Sequence, residues 1–113
     1  MTSFGHDVTL VPAGTVVTAG GTSVVLAPQN KGSLRAVLAV TAISGTTATL
    51  TCTVETSYDN GATDSWHSAG AFTAVTATGT SRKIIPIDRY VRVTWTFTGT
   101  TPSVTFGLTG ETV

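Results

Sequence analysis

The chain has 113 residues, of which 11% are charged, and its formal net charge is zero. That length suits one domain built around a single core and leaves no room for a second. Its six Lys and Arg residues are scattered apart from Arg82-Lys83 and the alternating Arg89 and Arg92, which argues against the basic patch that nucleic-acid binding needs.

Met1 to Asp7 carry no strong hydrophobic pattern and read as an N-terminal arm, with residues 8–113 as the domain. The same start lacks the basic region and apolar run of a secretory signal. No stretch approaches the ~18 apolar residues of a membrane helix. The expectation is a soluble protein made in a reducing cytoplasm.

Period-two alternation then dominates, and no helical stripe appears. "DVTLVP", "GTVVTAGG" and "TSVVLAPQN" read as short strands punctuated by Pro12, Gly14, Gly20-Gly21 and Pro28. "LRAVLAVTAI" and "ATLTCTVETS" read as a hairpin joined by "SGTT". Leu50, Cys52 and Val54 face inward in its second strand, while Thr49, Thr51, Thr53 and Glu55 face out. The first strand is apolar on both faces and belongs in the centre of a sheet or under a cover. Cys52 has no partner cysteine, which excludes a disulfide framework and a cysteine-rich metal site, and it reads as an inert core thiol.

After the polar loop that begins at Tyr58, "GAFTAVTATGTSRKIIPI" supplies one or two more strands, with Pro86 pointing to an edge or a bulge. "RYVRVTWTF" is the clearest strand, with Val91, Val93, Trp95 and Phe97 on one face and Tyr90, Arg92, Thr94 and Thr96 on the other. "SVTFGLT" turns Val104, Phe106 and Leu108 inward, and "TGTTP" between the two predicts a terminal hairpin. The sum is an all-β, single-domain antiparallel β-sandwich or jelly roll of about seven to eight short strands.

Chemistry concentrates in "ETSYDNGATDSWHSAGAF", Glu55 to Phe72. Asp59, Asp64 and His67 could form an acid/base group, but a nucleophile and an oxyanion donor are missing, so no catalytic residue is assigned and no enzyme is expected. "DNGATD" lacks the alternating oxygens and distal Glu of an EF-hand loop. His6 and His67 each lack a neighbouring His or Cys, so neither a metal nor a cofactor is assigned. Asp59-Asn60-Gly61 is strong turn chemistry, which explains the same residues as a loop. Trp66 has three readings: packing on Phe72, an interface anchor, or a platform for a sugar ring. Arg89, Tyr90 and Arg92 form either a solvated face paired to Asp88 or Glu55, or a stripe for a partner. Trp66, Arg89, Tyr90 and Arg92 are therefore the candidate interface.

"VETSYDNGATDSWHSAGAF" and "SRKIIPIDRYVRVTWTFTGTTPSVTFGLTGE" together resemble small structural proteins of tailed-bacteriophage virions, over Val54 to Glu111. The resemblance implies a multicopy, non-enzymatic β-sandwich that binds the major capsid protein or another virion protein. A head decoration or cement protein is favoured over a tail or head–tail component, and a homo-oligomer, commonly a trimer, is implied with it. "RYVRV" is also shared with discoidin-like and other sugar-binding jelly rolls, so a glycan-binding module stands as the rival.

Overall fold

Valine, isoleucine and threonine fill the alternating runs, and their branched β-carbons favour an extended backbone. The computed structural model describes residues 7–28 and 32–113. Within them the runs form β1 (Asp7–Val17), β2 (Gly21–Thr22), β3 (Ser33–Ser57), β4 (His67–Ala71), β5 (Gly79–Pro86) and β6 (Tyr90–Thr112). The strands join in one sheet, and every pairing between them is antiparallel. The expected arm, Met1 to Asp7, lies outside the described residues except for Asp7, which opens β1 opposite Glu111.

The backbone of the fold is a ribbon of β3 and β6, paired from Leu34 opposite Thr112 to Ser57 opposite Tyr90. Laid straight, 25 residues of strand would span about 80 Å. The molecule's longest dimension is 41 Å. The ribbon therefore folds over, and the side chains show where: Trp95 and Phe106, both on β6, meet edge to face with ring centroids 5.6 Å apart. The fold falls at residues 44–48 of β3 and 98–102 of β6, where the register shifts.

This corrects two expected hairpins. "SGTT" and "TGTTP" do not end strands; they are corners through which β3 and β6 continue. The physical reason is that a glycine at positive φ serves a bent bulge as readily as a hairpin turn. Gly45 has φ 115° and Gly99 φ 106°, and Thr47 and Thr101 follow them in the left-handed region at 51° and 45°. The expected seven to eight short strands are accordingly six among the described residues, two of them long. In the same way "DVTLVP" and "GTVVTAGG" merge into β1, which is irregular between Val11 and Thr15.

One half of the ribbon carries β1 beside β6 and β5 beside β3. The other carries β2 and Leu26 beside β6, and β4 and Val75 beside β3. The inward residues of both halves form one core, including Leu34, Leu38, Leu50, Cys52, Val93 and Phe106. The alternation expected for "RYVRVTWTF" holds, with Val91 and Val93 fully buried and Trp95 and Phe97 partly buried against the core. The expected centrality of "LRAVLAVTAI" also holds, since residues 33–40 pair with β5 on one side and β6 on the other. Burial pushes the Cys52 thiol up to about 12, so it stays protonated and unreactive at neutral pH. Among the described residues the pairing leaves the sheet open, with β1 and β2 on one margin and β4 and β5 on the other.

Candidate functional site

The loop 58–66 connects β3 to β4 at the open end of the ribbon, opposite the corner. Its tip is a tight turn in which the Ala62 amide donates to the Asp59 carbonyl at 3.3 Å. Asn60 and Gly61 sit between them at φ 61° and 79°, conformations these two residue types adopt with least strain. The Asp59 carboxylate accepts from the Thr63 hydroxyl, from the Thr63 amide at 2.9 Å and from the Asp64 amide at 3.0 Å. Those bonds, the Thr63 hydroxyl first, hold its pKa down at about 2.

Ser57, fully buried at the end of β3, ties the loop from below. Its hydroxyl donates to the Asp64 carbonyl at 2.6 Å and accepts from the Gly61 amide at 2.9 Å. Beside it the Thr56 hydroxyl donates to the Tyr90 carbonyl at 2.8 Å and accepts from the Asp88 amide at 2.6 Å, which fixes the turn between β5 and β6. The Asp64 carboxylate accepts from the Tyr58 amide at 2.8 Å. The acids that could have suggested catalysis are thus engaged by main-chain donors that shape the loop.

Of the three readings of Trp66, packing on Phe72 is not what the structure shows. Phe72 is buried in the core, its amide donating to the Cys52 carbonyl, and Trp66 is not among the described side chains packed there. Instead the indole lies against Gly61, where an added Cβ would sit 2.7 Å from its Nε1. Over its ring, at 4.4 Å from the centroid, stands the Arg92 guanidinium. Arg92 in turn donates from Nε to Glu55 Oε1 at 2.8 Å, the two being direct cross-strand partners. Trp66, Arg92 and Glu55 so form one half-buried stack on the outer face. Arg89 is exposed and lies over the Tyr90 ring at 5.4 Å, and Tyr90 occupies the same outward face as Arg92. A sugar ring would have to compete with the guanidinium for the Trp66 face.

Sequence reasoning missed Ser57 and Thr56, and it offered Asp88 only as a partner for the arginines. Ser57 breaks the alternation, being buried directly after buried Thr56, and nothing in "ETSYD" marks that. Asp88 comes beside the loop only through the β3–β6 register. Its Oδ2 lies 3.6 Å from His67 Nε2. Among the described residues, Asp64, His67 and Asp88 form a set of side chains close enough to share an ion.

No protein-family model matches the chain, and no curated protein matches it. Its fold is similar to that in the crystal structure of PirA, with a TM-score of 0.51 over 98% of this chain and 95% of that one. Sequence identity between the two is 19%, so the likeness concerns the fold alone.

Proposed function

We propose that this chain is a non-enzymatic structural protein of a bacteriophage virion, a capsid decoration protein whose folded-over ribbon is a β-sandwich of the jelly-roll type. One observation carries the reading: among the described residues, the large exposed apolar side chains stand on the margins of the sheet and at the loop. Val16 lies on β1, Val24 and Val25 beside β2, Ile84 on β5 and Tyr58 at the start of the loop. Apolar side chains along open strand edges suit docking onto a neighbouring protein by shape, burial and added main-chain hydrogen bonds. The engagement of Asp59 and Asp64 in the loop's own hydrogen bonds supports the same reading, because it leaves the loop a rigid contact surface. A partner in this reading is the major capsid protein or another virion protein, met by several copies, commonly a trimer.

Docking of this kind rests little on charge and survives salt, whereas electrostatic binding weakens steeply as screening grows. Co-sedimentation of the purified chain with undecorated heads, at low and at ~0.5 M salt, tests it. Equal retention in both supports the proposal. Failure to sediment in either, together with glycan binding by titration that Trp66→Ala abolishes, would replace it with the sugar-binding module.

A further inference from the structure

We propose that Asp64, His67 and Asp88 bind a divalent transition-metal ion of the zinc type. The three come from different places in the chain: the end of the loop, the first residue of β4, and the turn between β5 and β6. Each offers one ligand atom, and these atoms lie within 4.8 Å of one another. Around a tetrahedral ion with bonds of about 2.0–2.1 Å, ligand atoms stand roughly 3.3 Å apart. The His67 Nε2 to Asp88 Oδ2 distance, 3.6 Å, is already near that value.

The surroundings orient the ligands as a metal site requires. His67 Nδ1 faces the Ser65 carbonyl at 3.3 Å. A carbonyl only accepts, so this contact is a hydrogen bond when Nδ1 carries a hydrogen, and in the neutral form of that ring Nε2 is the nitrogen free to ligate beside the Asp88 carboxylate. The Tyr58 amide holds the Asp64 carboxylate, and Thr56 holds the Asp88 backbone. One imidazole and two carboxylates balance a 2+ charge and suit zinc, whereas calcium takes 6–8 oxygens. Three protein ligands leave a coordination position for water or for a side chain of another molecule. An open groove of ≈ 420 Å³ lined by Thr56, His67, Ser68, Pro86 and Asp88 reaches two of the three ligands.

Calorimetric titration of the EDTA-treated full chain with zinc chloride, with thermal melts beside it, tests the site. One ion per chain is expected, with a rise in melting temperature once zinc exceeds its Kd. His67→Gln and Asp88→Asn should each weaken binding at least about tenfold, while His6→Gln leaves it unchanged. Calcium and magnesium should not compete. The proposal is overturned by the absence of stoichiometric binding at ~100 μM zinc. It is equally overturned by zinc affinity that persists in a folded His67→Gln variant, or by displacement of zinc by equimolar calcium. Because the altered side chains are exposed or half-buried, apo melts matching the parent identify a folded variant.

Discussion

In the middle of the ribbon, β3 and β6 round a corner on Gly45 and Gly99; beyond one of its ends, the loop 58–66 turns on Asn60 and Gly61. Both places use positive φ, but different forces hold them. At the corner the two backbones touch. A Cβ on Gly45 would sit 2.9 Å from Pro102 Cα and from the Thr100 and Thr101 carbonyl oxygens, and one on Gly99 would sit 2.7 to 2.9 Å from Thr46 O, Thr47 O and Ala48 Cα. The contacts are reciprocal, glycine of one strand against the threonines of the other. At the loop end, side chains hold the shape: the Ser57 hydroxyl, the Asp59 carboxylate, and the stack of Trp66 on Arg92. A corner limited by space and a loop limited by hydrogen bonding should fail to different substitutions.

The largest effect is expected from Gly99→Ala, where a left-handed backbone and a backbone clash combine, at about 3 kcal/mol in denaturant melts. Gly14→Ala isolates the first of these, because Gly14 has φ 85° with nothing within 4 Å, and should cost only about 1 kcal/mol. Equal losses at the two glycines would show that the close approach at the corner does not matter.

Ser57→Ala comes next, at about 2 kcal/mol, because it strips a buried hub from the Gly61 amide and the Asp64 carbonyl. A loss below ~0.5 kcal/mol would mean that water replaces the hydroxyl without cost. Arg92→Ala should cost about 1 kcal/mol, since its ion pair with Glu55 and its place over Trp66 are half-buried. The Glu55→Ala and Arg92→Ala double-mutant cycle should give a coupling of a few tenths of a kcal/mol, and additivity would remove the pair from the account.

The smallest effect is local and set by pH. Asp59 has its pKa lowered from 3.8 to about 2 in the folded chain. Its contribution is therefore complete above 3.8 and disappears as pH falls toward about 2, the window in which the unfolded chain takes up the proton first. Trp66 fluorescence should change with a midpoint near the lower value, before any corner signal moves. A midpoint near 3.8 would contradict the carboxylate's hydrogen bonds.

The sequence exposed the strands of this fold more readily than their connections. Alternation in "RYVRVTWTF" named Val91 and Val93 as core, and the double-sided apolar run of residues 34–43 marked a central strand. Alternation has no memory of which strand lies alongside, so "SGTT" looked the same whether β3 turned back on itself or bent and continued. The loop was legible because Asp59-Asn60-Gly61 is local chemistry. The stack of Trp66 on Arg92 and the approach of Asp88 to His67 were not, because each depends on the register of strands distant in sequence.

The long ribbon has a consequence for how the chain reaches this state. Every rung of β3 with β6 joins residues from opposite halves of the chain, and the rung closest in sequence, Ser57 with Tyr90, lies at the loop end. Closing the shortest loop costs the least entropy, so zippering should begin there, round the corner later and end with Leu34 opposite Thr112. Non-local pairing of this kind folds in milliseconds to seconds rather than microseconds. Ser57→Ala should then slow refolding, while Gly99→Ala should leave refolding nearly unchanged and speed unfolding. The opposite pattern in stopped-flow traces would place the nucleus at the corner.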